Sequence, residues 1–241
     1  MSLYDYCRAP KHQVGRERLL HMRVAFEMKL HAAISQQPLL VTEPEIDDSG
    51  YDFAVAVSRE FDQLFIQSKS ALSETGAKSW NIRGALLQPS WHDLDIVPSV
   101  DGSPIGTFGA TGGVLLQIID EAAAKNDELK ITYFYFDVFF ALGVAFDLWL
   151  SPNFSSEDAF DLLRRIQNVP DLDARLSIPK AAFLPIKSPA AIVALRLHLP
   201  TPCNYVSGIN FAAKLRQRGK REPDFMRWAD VIRPWATEPV A

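Results

Sequence analysis

Three polar residues stand out in two segments that are otherwise rich in apolar and β-branched residues. Asp52 lies early in the run YDFAVAV, and Gln67 and Lys69 lie in the run QLFIQSK. Successive side chains of a strand point to opposite faces, so Phe65, Gln67 and Lys69 are predicted to share one face. The two segments are close enough in sequence to form a β-hairpin, which would bring these polar groups together.

A two-residue turn at residues 59–60 fixes the register of the predicted hairpin. Such a turn pairs Ser58 with Phe61, and the same register places Asp52 opposite Gln67. Directly opposed residues point to the same face of a sheet. We therefore expect a carboxylate, an amide oxygen and an ammonium group to converge on one face.

These groups suit metal-dependent cleavage of a phosphodiester, in which the metal neutralises the phosphate and lowers the pKa of a bound water. Mg²⁺ prefers oxygen ligands, and Mn²⁺ accepts the same ligands. Asp52, the amide oxygen of Gln67 and the backbone carbonyl of Ser68 would supply them. Lys69 would orient the attacking water or stabilise the transition state. Glu27 is predicted to be an outer metal ligand or an acid beside the metal.

A helix over residues 16–35 would have to position Glu27. Its apolar residues recur with helical spacing, and we expect this stripe to be the buried face. The stripe consists of Leu19, Met22, Phe26, Leu30 and Ala33. A second stripe beside it contains Leu20, Val24, Glu27 and His31. Glu27 is therefore expected at the margin of the buried face.

The later part of the chain predicts further elements around this centre. Strands are expected over residues 80–87 and 131–140, a small hairpin about 101–102, and helices over 114–125 and from Ser155 or Ser156 onward. Thr111 is the expected N-cap of the helix over 114–125. The pattern indicates an α/β or α+β fold with a mixed central sheet flanked by helices. Residues 1–150 are predicted to form its core and residues 151–241 a helical extension packed on it, or the whole chain forms one domain.

The order of these motifs resembles that of the PD-(D/E)XK nuclease superfamily. Residues 23–27 match R-x-x-F-E on the helix, residues 50–52 match G-x-D, and residues 67–69 match Q-x-K. The pattern is similar to the branch related to Mrr-like type IV restriction endonucleases, in which Gln replaces Glu. The resemblance covers about residues 16–87. It implies a restriction-endonuclease-like core and a metal-dependent DNA endonuclease acting in restriction or phage defence.

Other readings of the same residues stay open. Asp52 is also explained as a carboxylate at the start of a strand, and Gln67 and Lys69 as residues on an exposed face. One alternative function is a non-catalytic nucleic-acid-binding or protein-interaction module with the same fold. Another is an unrelated α/β protein in which the polar residues of the hairpin are surface features. A basic segment near the end is either a solvated face or a phosphate contact. Its cationic residues are Lys214, Arg216, Arg218, Lys220 and Arg221.

Composition limits the class of protein. The chain has 241 residues, of which 48% are apolar and 22% are charged, and these values are typical of a globular protein. No apolar run is long enough to predict a membrane span, and the N-terminal residues lack the apolar segment of a signal peptide. The two cysteines form neither a disulfide framework nor the spacing of metal ligands, which favours a reduced cytoplasmic protein. The net charge of −4 argues against a broad basic surface, but it is compatible with a nuclease whose carboxylates hold metal. DNA is the expected partner, with a homodimer or a partner subunit for cutting both strands.

Overall fold

The computed structural model of the chain describes residues 1–44, 50–57, 63–88, 99–100, 103–104, 109–110, 112–145, 147, 151–198 and 231–237. The strands in these ranges are β1 (Leu39–Thr42), β2 (Phe53–Val57), β3 (Leu64–Leu72), β4 (Ser79–Arg83), β5 (Ser99–Val100), β6 (Ser103–Pro104), β7 (Gly113–Ile119), β8 (Ile131–Asp137), β9 (Arg175–Pro179) and β10 (Leu184–Ile186). The α-helices are α1 (Leu3–Arg8), α2 (Gln13–Ile34), α3 (Gly84–Leu87), α4 (Glu121–Lys125), α5 (Val138–Ala145), α6 (Ser156–Gln167) and α7 (Ala190–His198).

A six-stranded mixed sheet forms the centre of the molecule, with the strand order β1-β2-β3-β7-β8-β10. The central pair, β3 and β7, is parallel, and every other pair in this sheet is antiparallel. Helices α2 and α7 pack against each other and contact β2 or the neighbouring β1, while α5 packs on α6. The predicted mixed α/β architecture is confirmed.

Strand β7 corrects one sequence prediction. Residues 114–125 were expected to form a single helix, but the chain is extended from Gly113 to Ile119 and only α4 is helical. Val114, Leu115 and Leu116 are fully buried, because β7 lies in the middle of the sheet and is covered on both faces. The N-cap of α4 is Asp120, whose side chain accepts the backbone N–H of Ala123, whereas Thr111 lies outside the described residues.

The segment 80–87 also differs from its prediction as one strand. It forms β4 up to Arg83 and then turns directly into α3, and β4 pairs with β9 in a separate two-stranded sheet. Residues 131–140 form a strand of the central sheet as predicted, but the strand ends at Asp137 and α5 follows. The short strands β5 and β6 pair antiparallel, which confirms the small hairpin about residues 101–102.

Helix α2 has nearly the predicted bounds, but the predicted buried face is wrong. Four residues of the expected buried stripe are between 48% and 67% exposed, namely Leu19, Met22, Phe26 and Leu30. The buried residues of α2 are instead Leu20, Val24, Met28 and Ala32. Both sets of residues have helical spacing, so the spacing alone does not select the buried face.

Residues after 150 share the core of the residues before it. Strand β10 pairs with β8 in the central sheet, and β9 pairs with β4. Helix α6 begins after the predicted N-cap Ser155 and contributes Leu162, Leu163 and Ile166 to the same hydrophobic cluster that contains the sheet. The described part of 151–241 is therefore partly β-structure, and the boundary at residue 150 stays a prediction about folding units. None of the helices in the described ranges has the length and apolar character needed to cross a membrane.

Candidate functional site

A polar cavity of about 700 Å³ lies where β2, β3 and the N-terminal half of α2 meet the small β4–β9 sheet. Asp52, Gln67 and Lys69 all line this polar cavity. The other lining residues come from α2, from the segments around the hairpin, from β7 and from the small sheet. They are Gln13, Arg16, Glu17, Leu20, His21, Gly50, Ser68, Ser70, Arg83, Gln117, Asp173 and Arg175.

The hairpin register agrees with the one predicted from the turn. Phe53 pairs with Ile66 and Val55 pairs with Leu64, and this register continues to Asp52 opposite Gln67. The predicted turn itself lies outside the described residues. Asp52 stands just before β2, and its backbone N–H donates to the carbonyl of Ile66 at 2.8 Å.

The carboxylate of Asp52 is fixed by the neighbouring strand. Its Oδ2 accepts the backbone N–H of Ser68, so the side chain is held beside β3. Gly50 precedes it with a φ of +74°, a conformation that favours glycine. A Cβ at this position would also lie 2.2 Å from the Cδ of Arg83, so Gly50 lets the arginine side chain lie across the backbone. The glycine of the predicted G-x-D segment is therefore required by its backbone conformation and by the close approach of the arginine.

Gln67 is buried, with only 5% of its surface exposed. Its Oε1 accepts the backbone N–H of Arg83 at 3.2 Å, which orients the amide toward the end of β4. Lys69, two residues further along β3, is half-buried and makes no hydrogen bond or ion pair with the residues that the structure describes. The amide is therefore anchored, while the ammonium has no polar partner among the described residues and is available to a ligand.

Gln117 adds a polar group that the sequence reasoning missed. It is fully buried on β7, and its Nε2 donates to the Oγ of Ser68 at 2.8 Å. Its Oε1 is without a hydrogen-bond partner in the described ranges, although it belongs to a residue that lines the cavity. A buried acceptor without a partner is costly, so this oxygen is suited to a water or a ligand donor in the cavity. The signal was a single Gln in the apolar run VLLQII, and it was missed because the run was assigned to a helix.

Helix α2 contributes Glu17 and His21 to the cavity, whereas Glu27 lies elsewhere. The Glu27 carboxylate accepts the hydroxyls of Tyr133 at 3.1 Å and Ser188 at 2.8 Å and pairs with Arg23 at 2.6 Å. Burial, followed by this carboxylate, raises the pKa of Tyr133. Glu27 therefore joins α2 to β8 and to the segment before α7, and it does not line the cavity.

The position of Glu17 was available from the spacing of the second stripe. The buried residues Leu20, Val24 and Met28 continue toward the N-terminus to Glu17, three residues before Leu20. Glu27 was expected at the site instead, because it is the glutamate of the R-x-x-F-E match. Arg83 and Arg175 were also missed, since β4 and β9 pair only in the folded chain.

The charge of the cavity differs from that of the chain. Four cationic side chains line it, against three carboxylates, which leaves one net positive charge with His21 neutral. The whole chain has a net charge of −4. The cavity is therefore a locally positive part of a negative protein, as expected for a site that receives an anion.

The oxygen donors in the cavity fit a hard divalent cation such as Mg²⁺. Asp52 and Gln67 supply a carboxylate and an amide oxygen, and Gln117, whose buried Oε1 has no partner in the described ranges, also lines the cavity. No three His, Cys, Asp or Glu side chains form a metal-binding group in the described part of the chain. A cation would thus rely on amide oxygens and water besides the carboxylate. The basic segment 214–221 lies outside the described residues.

Comparisons with known proteins add no family to this geometry. No model of a protein family matches the chain, and no curated protein matches it in sequence.

Proposed function

We propose that the chain is a metal-dependent DNA endonuclease with the motif order of the PD-(D/E)XK superfamily. The observation that carries this proposal is that Asp52, Gln67 and Lys69 line one polar cavity, in the hairpin register expected for such a site. The net positive charge of the cavity supports a polyanionic substrate. A role in restriction or phage defence follows from the resemblance.

Each residue has a defined task in this proposal. Asp52 and Gln67 would hold Mg²⁺ or Mn²⁺, which would neutralise the scissile phosphate and supply a water of lowered pKa. The hydrogen bonds from Ser68 to Asp52 and from Arg83 to Gln67 keep the two ligands oriented. Lys69 orients the attacking water or stabilises the negative charge that develops on the phosphate. Glu17 takes the place that the sequence assigned to Glu27, as a carboxylate of α2 on the wall of the cavity.

A non-catalytic nucleic-acid-binding module on the same fold is the second candidate. It is favoured by the excess of cationic over acidic groups in the cavity and by the presence of Gln67 where a second carboxylate would hold metal more strongly. Such a module would bind DNA through the same residues without turnover. The two candidates differ in one measurement, which is hydrolysis.

The test is cleavage of plasmid DNA with Mg²⁺ or Mn²⁺ by the full chain and by matched variants. Asp52→Asn and Lys69→Ala are expected to reduce cleavage by about 100-fold or more, since each removes a group that acts on the transition state. Asp161→Asn and Lys78→Ala make the same charge changes at exposed positions outside the cavity and are expected to keep full activity. Circular dichroism and thermal unfolding establish that the variants are folded.

Three outcomes decide between the candidates. Cleavage that EDTA abolishes and that both cavity variants lose supports the nuclease. DNA binding by the folded wild-type chain without cleavage in either metal identifies the binding module. Metal-dependent cleavage that persists in the Asp52→Asn, Lys69→Ala double variant contradicts the proposed site.

A further inference from the structure

Two arginines face each other at the edge of the polar cavity. Arg83 is the last residue of β4, Arg175 is the first residue of β9, and the two are directly paired in the antiparallel register. Directly opposed side chains lie on the same face of a sheet, and both arginines line the cavity. Like charges in this arrangement destabilise a sheet. Asp173, which pairs with Arg83, offsets part of the repulsion, and an anion bound between the two arginines would offset more of it.

Arg83 is held in place by several contacts. Its Nε donates to the carbonyl of Leu172 and its Nη2 pairs with Asp173, both at 2.5 Å, and its side chain is only 16% exposed. Its Cδ lies against the backbone at Gly50, two residues before Asp52. The backbone of the same arginine orients Gln67. Arg83 therefore connects the small sheet to both oxygen donors of the proposed metal site.

Arg175 differs from Arg83 in the exposure and the contacts of its side chain. Its side chain is exposed and makes no hydrogen bond or ion pair to any residue that the structure describes. Its guanidinium is thus available to a ligand at the cavity mouth. Guanidinium groups bind phosphate through two parallel hydrogen bonds, so a fixed arginine beside an available one suits a phosphate group well.

We propose that Arg83 and Arg175 form a phosphate clamp, which binds a phosphate of the nucleic-acid strand next to the scissile phosphate at the proposed metal site. This inference rests on the proposed function, and it deepens that function by assigning the small β4–β9 sheet to the binding of the substrate backbone. The clamp positions the strand and takes no part in the chemical step. It is also independent of metal, because arginine charge does not depend on a bound cation.

The test is Arg175→Gln, because this exposed side chain makes no hydrogen bond or ion pair in the described part of the chain. Binding of a short labelled DNA duplex is measured by fluorescence anisotropy in EDTA over a range of salt concentrations. The variant is expected to bind about tenfold more weakly, the effect of one lost charge-assisted hydrogen-bonding group. Its salt dependence is expected to be shallower by about one phosphate contact. Arg175→Lys keeps the charge and is expected to recover part of the affinity.

Lys78→Gln is the matched control. Lys78 lies just before β4 at the opposite end of the strand from Arg83, is exposed, and does not line the cavity. Lys78→Gln removes one positive charge beside the same small sheet. The affinity of this variant for DNA is expected to stay near that of the wild type. A second readout is the affinity for inorganic pyrophosphate by calorimetry, which needs neither DNA nor cleavage.

The outcomes separate the clamp from the proposed activity. If Arg175→Gln weakens DNA and pyrophosphate binding while the wild type cleaves nothing, the clamp is supported and the nuclease proposal fails. If Arg175→Gln matches Lys78→Gln in both assays while the wild type cleaves DNA, the clamp is wrong and the nuclease proposal stands. Wild-type protein that binds neither DNA nor pyrophosphate in EDTA overturns the clamp, and the cleavage assay with metal decides the nuclease proposal separately.

Discussion

Glu17 and Glu27 lie on the same helix but have different surroundings. Glu17 lines the polar cavity, and among the described residues its only side-chain hydrogen bond comes from Gln13, one turn away. Glu27 accepts hydrogen bonds from Tyr133 and Ser188, and its side chain is 17% exposed. One glutamate is therefore placed to act on a ligand, and the other is placed to hold elements together.

Substituting each glutamate by glutamine separates these two roles. Glu27→Gln leaves the Ser188 hydroxyl without its carboxylate acceptor and removes the ion pair with Arg23, so we expect the free energy of unfolding to fall by about 1–3 kcal/mol. Cleavage by the folded variant should not change. Glu17→Gln is expected to lower cleavage at least tenfold and to change stability by less than about 0.5 kcal/mol. Urea unfolding and plasmid cleavage measure both quantities, and the reverse pattern would return Glu27 to the site.

The residues of the hairpin were predictable because local rules fix them. Strand alternation and the register of a short turn placed Asp52 and Gln67 together, and both line the cavity. Arg83 and Arg175 follow no local rule, because 92 positions of chain separate them and only the pairing of β4 with β9 joins them. Residues from distant strands enter a site through the tertiary fold, which a single sequence does not specify locally.

At the scale of elements, α2 shows why the existence of a helix is easier to predict than its orientation. Its 22 residues are mostly good helix formers, and the structure contains it with nearly the expected bounds. Apolar residues occupy both of its long faces, so periodicity alone does not select the buried one. Met22 is 67% exposed and Met28 is fully buried, although the two residues have the same chemistry. The buried face of α2 is determined by its packing against the sheet and α7.

Strand β7 shows the same limit for a continuous apolar run. Such a run fits a buried strand or a buried helix equally, and its length of seven residues is typical of a strand. The parallel pairing with β3 buries it on both faces, and this pairing decides its conformation.

The junction of β8 and α5 contains a buried acid with a consequence for pH dependence. Asp137 accepts the hydroxyl of Tyr135 at 3.0 Å and the backbone N–H of Phe140 at 2.6 Å, so it caps the start of α5. Burial raises the pKa of Asp137 to about 6, against its hydrogen bonds, which lower it. In the unfolded chain the same carboxyl titrates near pH 4. Between these values the folded protein therefore binds more protons than the unfolded chain.

Stability should consequently fall as the pH rises through this window. The contribution of Asp137 is fully favourable below about pH 4, is lost progressively up to about pH 6 and is constant above that value. We expect a loss of about 3 kcal/mol in the wild type relative to Asp137→Asn across the window. Urea unfolding of both proteins at several pH values measures this difference. A difference that stays the same at every pH would contradict the raised pKa.

At the scale of the whole molecule, the central sheet combines strands from both sides of position 150. Strand β1 forms one edge and β10 the other, with β8 beside β10. The small sheet likewise joins β4 to β9, and with it Arg83 to Arg175. The polar cavity is thus built from residues on both sides of position 150, since Asp173 and Arg175 line it with Asp52.

This arrangement predicts that residues 1–150 do not fold by themselves. Without the later residues, β8 loses one of its two partners and β4 loses β9. The core also loses large apolar side chains, including Leu163, Ile178 and Ile192, all of which are fully buried. Each such loss costs about 2–5 kcal/mol, and together they exceed the stability of a typical domain. We expect a fragment of residues 1–150 to lack a cooperative thermal transition and to show narrow amide proton dispersion, whereas the full chain unfolds cooperatively. A fragment that unfolds cooperatively and binds DNA with the affinity of the full chain would establish the boundary at residue 150 and would remove Arg175 from the binding surface.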